Sequence, residues 1–236
     1  MRGGRVGGVG RLVAAIVLAL ACLAPAARAR TAVEVALVLA VDSSASVNYQ
    51  EFSLQMQGIA NAFRDPAVIA TIQASGPNGI AVCLLQWSGA VDMAVVAGWT
   101  QVRNADEAER FAVYVETAGR VPSPAGTAIG LALRAARWTL AEAPFDAVRR
   151  IIDVSGDGRA NFGVLPDSER DAAVADGITI NGLAILNEEP ELDAYYEAHV
   201  IGGPGSFAMV AKDYQDFARA IRLKLLRELG GAVAAR

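Results

Sequence analysis

The stretch Asp42-Ser43-Ser44-Ala45-Ser46 puts one acid and three hydroxyls directly behind the apolar run VEVALVLAV (33–41). Short hydroxylated side chains at such a place have an ordinary use, satisfying free amides in turns or at helix starts, and Ser46 or Asn48 could cap a following helix. Two further segments add to it. Thr127 stands in PAGTAIG at the opening of a helical stretch, and Asp157 stands in DVSGDG where another apolar run closes. Each alone is unremarkable; together they offer two carboxylates and three hydroxyls at successive strand ends. A hard cation such as Mg²⁺ takes six oxygens at about 2.0–2.1 Å and is held by one or two carboxylates with waters. Asp42, Ser44, Ser46, Thr127 and Asp157 are therefore the candidate ligands of Mg²⁺, or of Mn²⁺ or Ca²⁺. Zinc would want several His or Cys ligands, and the chain has one His and two Cys. Positions 42, 44 and 46 point the same way if the chain stays extended there.

The elements that must hold these residues are legible as alternating patterns. Six apolar runs of strand length, 33–41, 79–87, 91–99, 149–155, 178–186 and 206–211, are interleaved with stretches of helical period. That alternation predicts an α/β, doubly wound, mostly parallel six-stranded sheet with helices on both faces, a Rossmann-like arrangement. Only Ser88, Gly89 and Ala90 separate the second and third runs, too few for a parallel crossover, so this pair is an antiparallel hairpin with the antiparallel strand at the sheet edge. Phe52, Met56, Ile59 and Phe63 form a helical stripe behind Asn48, with Glu51 placed for a capping box. Further helices are expected over 105–118, 126–143, 166–176 and 191–199, and Tyr214, Phe217, Ile221 and Leu225 give the last one its stripe. In such sheets ligands bind at the carboxyl ends of the strands, where strand order reverses, which is where the three segments arrive.

Arg2, Arg5 and Arg11 precede an apolar run from Leu12 to Leu23, and Ala27 and Ala29 offer small residues at the spacing of a secretory cleavage site. We read residues 1–29 as a signal peptide and 30–236 as a single domain with its core at about 33–229. The destination is then the periplasm or the exterior. A lipid anchor on Cys22 is disfavoured because ALAC lacks a branched residue three positions before the cysteine. No stretch is long and apolar enough for a transmembrane helix. Losing Arg2, Arg5, Arg11 and Arg28 leaves 17 of the 21 basic residues against 25 acidic ones, and the net charge moves from −4 to −8. Nucleic acid and anionic membranes are excluded as partners on that balance. Cys83, inside GIAVCLLQW, is a core thiol.

DSSAS after the first strand, the Gly-Thr helix start and GDG after the middle strand together resemble the von Willebrand factor A domain and its metal-ion-dependent adhesion site. Within it, the short exported chain with IIDVSGDG resembles a bacterial group of uncharacterised exported proteins. The resemblance implies that Ser44, Ser46 and Thr127 supply hydroxyl oxygens while Asp42 and Asp157 sit around the ion, partly through water. It implies a sheet in which strand one lies between strands two and four. It also implies a non-catalytic role, in which a protein partner's Asp or Glu completes the coordination.

Enzymatic rivals fare worse on the residues. No G-x-S-x-G occurs, and His199, in EAHVIGG, reads as a helix-end histidine rather than a base. A metal-dependent phosphohydrolase remains the alternative, since acids at strand ends also bind Mg²⁺ there, but a nucleophilic aspartate with a second acid and a lysine is the expected set. GDGRANFG lacks the glycine spacing and lysine of a phosphate loop. Asp153 shares the parity of Asp157 and reads either as support for the site or as a structural acid. Asn161 and Arg159 read as rim residues, and Trp87, Trp99 and Trp138 as core or interface.

Overall fold

A computed structural model describes residues 30–89, 93–121 and 125–230. The signal-peptide and Cys22 readings lie outside the described residues, as do Ala90 of the hairpin turn and the chain end.

Six strands form one sheet: β1 (Thr31–Asp42), β2 (Ile80–Trp87), β3 (Met93–Val102), β4 (Phe145–Gly156), β5 (Ile178–Ile185) and β6 (Ala208–Ala211), in the order β3-β2-β1-β4-β5-β6. All pairs are parallel except β2 with β3, so the hairpin expectation holds and β3 is the antiparallel edge. From β1 the chain winds outward to β2 on one side and later to β4 on the other. The carboxyl ends of β1 and β4, which carry Asp42 and Asp157, therefore flank the reversal point.

The period-2 alternation of β1 divides the core. Val35, Leu37, Leu39 and Val41 face helices α1 (Tyr49–Arg64), α2 (Pro66–Ser75), α3 (Ala105–Thr117) and α7 (Phe217–Gly230). Ala36, Val38 and Ala40 face α4 (Ile129–Ala141) and α6 (Leu192–Tyr195), with α5 (Pro166–Ala175) on the same side. Both faces of a central parallel strand are buried, which is why the run is apolar without polar interruption. Cys83 is buried in the second cluster, and burial pushes its thiol pKa up.

Helix boundaries refine the pattern. Asn48 caps α1, its Oδ1 accepting from the amides of Gln50 and Glu51 at 2.9 and 3.0 Å while Glu51 Oε2 accepts from Asn48 N at 2.8 Å. Helix α2 is an element that the apolar stripe did not reveal; Asp65 caps it and Pro66 opens it. Helix α4 begins at Ile129, later than the expected 126, and α6 runs into a π-helical turn, Tyr196–Val200. Tyr214 is buried but precedes α7. Trp87 is buried, whereas Trp138 is 61% exposed and so belongs to the surface, not the core.

One polar knot fastens α7 to the sheet. Buried Lys224 donates to Glu228 at 2.5 Å and pairs with Asp153 on β4 at 2.6 Å, and Asn181 Nδ2 on β5 donates to Glu228 Oε1 at 2.8 Å. Asp153 is thus a structural acid held by a lysine.

Candidate metal centre

The first segment does not stay extended. Ser43 closes β1 by donating its N and Oγ to the Trp87 carbonyl at 2.8 and 2.9 Å, and the chain then turns, Val47 N donating to Ser44 O at 3.2 Å. The turn, rather than strand alternation, brings Ser44 Oγ and Ser46 Oγ to 3.1 Å. Arg120 holds that turn from outside, donating to the carbonyls of Ser43, Ser44 and Val47 at 2.5, 2.7 and 2.8 Å. Gln55 Nε2 of α1 donates to the Asp42 carbonyl at 3.1 Å.

The second acid closes the group from β4. Asp157 Oδ1 accepts from Ser46 Oγ at 2.7 Å, and its Oδ2 accepts from the Tyr214 hydroxyl at 2.9 Å. With Asn48 capping α1, Ser46 is free of that task. Asp42 Oδ1 accepts from Ser44 N at 2.7 Å, while its buried Oδ2 has no hydrogen-bond partner among the described residues. Burial, and then the charge of Asp157, push the Asp42 carboxyl up to about 7. A Cβ at position 156 would stand 2.8 Å from Asp42 Oδ2 and 2.9 Å from the Tyr196 hydroxyl, so Gly156 is required by close approach.

Thr127 arrives on a loop tied to both neighbours. Ala45 N donates to Ala125 O at 2.9 Å, Thr127 N donates to Asn161 Oδ1 at 2.8 Å, and Asn161 N returns a bond to Thr127 O at 3.0 Å. Ala128 occupies the cap position of α4 without a side-chain bond, so the Thr127 hydroxyl is not spent on capping. A Cβ on Gly158 would lie 3.9 Å from Thr127 Oγ1, which places the threonine beside the GDG loop.

Of the five residues expected from the sequence, Asp42, Ser44, Ser46 and Asp157 are linked by direct hydrogen bonds, and Thr127 stands beside the GDG loop with its backbone bonded to Asn161. Among the described residues no three His, Cys, Asp or Glu side chains gather as a metal site. The cluster instead combines two acids with hydroxyls, a donor set suited to a hard cation. Two buried carboxylates, one with an unpartnered oxygen, are the electrostatic condition that a cation would relieve. Arg120 and Gln55 escaped notice in the sequence, Tyr214 was read only as part of a helix stripe, and Asn161, read as a rim residue, holds the Thr127 backbone. His199 is engaged with Asp167 at 3.1 Å and packs on Tyr195, whereas Arg159 stays beside the GDG loop, pairing at 2.8 Å with Glu189, whose Oε1 would lie 3.7 Å from a Cβ on Gly158.

The fold is that of von Willebrand factor A domains. Similar solved structures include the pilus adhesin SpaC from Lactobacillus rhamnosus GG (14% identical, TM-score 0.60), covering 85% of this chain and 31% of that one. Proximal thread matrix protein 1 from the mussel byssus, with a zinc-occupied MIDAS motif, is 16% identical at TM-score 0.61, covering 86% of this chain and 49% of that one. The von Willebrand factor type A protein from Catenulispora acidiphila is 19% identical at TM-score 0.58, covering 85% of this chain and 44% of that one. This chain thus spans less than half of each. Among curated proteins none matches. The chain belongs to the family described as protein of unknown function DUF1194, matched over residues 32–233.

Proposed function

We propose that this protein is an exported, non-catalytic binding module that engages an Asp or Glu of a protein partner through a divalent cation of the Mg²⁺ type. The observation that carries this reading is the donor set: hydroxyls of Ser44 and Ser46 joined to Asp157, with Asp42 buried behind them and Thr127 on the adjoining loop. Neutral oxygens leave more of a cation's charge uncompensated than carboxylates do, and the bound cation would supply that charge to an outside carboxylate. The chain's own residues do the rest. Asp42 and Asp157 provide the negative charge, Tyr214 orients Asp157, Arg120 holds the serine turn, and Asn161 holds the Thr127 backbone.

Support for a binding role comes from the surroundings and from the similar structures. Tyr49, next to the cap of α1, and Phe162, next to Asn161, are 80% and 52% exposed, which leaves both rings open to a partner. The similar structures include a pilus adhesin and a byssal matrix protein, one with zinc in its MIDAS motif. An extracytoplasmic location agrees with these and with the basic, apolar and small-residue order of residues 2–29. The acidic balance of the mature chain favours a partner that is neutral or basic around one exposed acid.

Calorimetric titration with Mg²⁺ tests the reading. The wild type should bind, Asp42→Ala and Thr127→Ala should lose most of the affinity, and Thr127→Ser should retain it. Equal affinity in all four would dismiss the site. Hydrolysis of p-nitrophenyl phosphate that depends on both Mg²⁺ and Asp42 would replace the binding reading with the phosphohydrolase one.

A further inference from the structure

Three buried polar atoms behind the candidate metal centre have no hydrogen-bond partner among the described residues: Asp42 Oδ2, the Tyr196 hydroxyl and Trp87 Nε1. Buried polar groups are nearly always paired, because an unpaired one loses its hydration and gains nothing in return. These three are neighbours. Trp87 on β2 stands opposite Asp42 in the β1–β2 register. A Cβ added to Gly156 would lie 2.8 Å from Asp42 Oδ2, 2.9 Å from the Tyr196 hydroxyl and 3.3 Å from Trp87 Cζ2, the ring carbon two bonds from Nε1. One acceptor and two donors thus gather around a single point of the sheet.

Tyr196 reaches that point because two strands carry no side chain in its way. Its ring lies over β5, where a Cβ on Gly182 would stand 2.5 Å from Cδ1, and its hydroxyl lies over Gly156 on β4. Gly182 pairs with Val154, two residues before Gly156, so both glycines open the same face of the sheet, the one that buries Trp87 and Tyr196. The backbone that carries the ring is fixed at the π-helical turn Tyr196–Val200, where Ile201 N donates to Tyr196 O at 3.0 Å; such turns recur at functional sites. Phenylalanine would serve packing here, and a fully buried hydroxyl without a partner costs stability unless it acts. Burial, and after it the charges of Asp42 and Asp157, push the Tyr196 pKa well up, so the hydroxyl remains a donor.

We infer that Tyr196 and Trp87 are the donor pair that positions Asp42 for the cation, holding Oδ2 from behind while Ser44 N holds Oδ1. The inference rests on the metal site proposed above and deepens it, adding two positioning residues that act through Asp42 and touch neither cation nor partner. A carboxylate kept charged beside a cation is the stronger acceptor, so both donors close on Oδ2 in the loaded site and contribute little without the cation. Outer groups of this kind carry about 10- to 100-fold of metal affinity.

Tyr196→Phe removes only the hydroxyl and gives the test. In calorimetric titration of the full chain, Mg²⁺ affinity should fall by about tenfold. The urea midpoint of the metal-free protein should stay the same or rise, since the substitution deletes an unpaired buried group. That split separates positioning from packing. A hydroxyl that only packs would leave Mg²⁺ affinity unchanged, and one already bonded without the cation would lower the metal-free midpoint; either result overturns the inference. Trp87 gives a second readout in the wild type. Its indole N–H resonance, assigned by its loss in Trp87→Phe, should move as Mg²⁺ is added, with those of Trp99 and Trp138 as references. A Trp87 resonance that stays fixed while calorimetry shows binding overturns the donor pair, and it decides alone if Tyr196→Phe does not fold. A wild type that binds no Mg²⁺ overturns the metal reading and this inference with it, whereas equal affinity in wild type and Tyr196→Phe overturns the inference alone.

Discussion

The hydroxyl of Tyr214 donates to Asp157 Oδ2 at 2.9 Å across 57 residues of chain. Ser46 occupies the other oxygen of that carboxylate, so the tyrosine fixes which way Asp157 turns. Burial and the nearby charge of Asp157 push the Tyr214 pKa up, which keeps the hydroxyl a donor at any ordinary pH. Tyr214→Phe removes one hydrogen bond and little volume. The expected cost is about 0.5–1.5 kcal/mol of stability and roughly tenfold or more in Mg²⁺ affinity, as for other groups that orient a ligand. Urea melts and calorimetric titration measure the two; unchanged affinity would show that Asp157 needs no such support.

Arg120 supplies a second test because its planar fork reaches three carbonyls at once. A lysine keeps the charge but not the geometry. We expect Arg120→Lys to retain the fold by circular dichroism and to weaken Mg²⁺ binding by several-fold, with Arg120→Ala weaker still. Equal affinity in wild type and Arg120→Lys would mean that the charge alone holds the serine turn.

The knot of Lys224, Asp153 and Glu228 makes a pH prediction. Burial, followed by the charge of Asp153, pushes the Glu228 carboxyl from an ordinary 4.5 up to about 7 despite Lys224. The folded state then holds a proton that the unfolded chain releases near 4.5, so between about pH 4.5 and 7 the native state binds more protons. Stability from this group falls as pH rises through that window, by on the order of 1–3 kcal/mol, and Glu228→Gln should flatten the slope. Lys224→Met strands two buried acids and should cost about 3–5 kcal/mol near neutral pH. Urea melts from pH 5 to 8 on the three proteins check both statements.

Export is checked by mass. The small residues Ala27 and Ala29 predict a mature chain beginning at Arg30. A secreted or periplasmic product still beginning at Met1, or carrying lipid on Cys22, would overturn that reading.

Much of the fold was readable because its signals are local. The unbroken apolar run ending at Asp42, the short Ser88–Ala90 connection and the Asn48–Glu51 capping pair each lie within a few residues, and each corresponds to the element observed. Helix α2 was missed although Asp65 and Pro66 signal its start, because its ten residues bury only Val68, Ile72 and Ser75 and so show little stripe. For Trp138 the helix pattern left core and interface open, because a large apolar side chain reads the same whether or not a neighbour covers it, and its 61% exposure removes only the core option.

Residue type and pattern alone determined that Asp42 and Asp157 each close an apolar strand of a largely parallel sheet and that Thr127 stands just before a helix. A parallel sheet sends each strand end to the same side; that strand one lies beside strand four, so that Asp42 and Asp157 meet, was implied by the family resemblance and is seen in the observed strand order. Only the tertiary structure decided how they meet: through a turn at Ser44–Val47, with Arg120 on the carbonyls of residues 73 to 77 positions earlier, Asn161 34 positions from Thr127, and Tyr214 57 positions from Asp157. Such bonds depend on side-chain direction and on which distant loops pack together, and neither leaves a periodic trace in the chain.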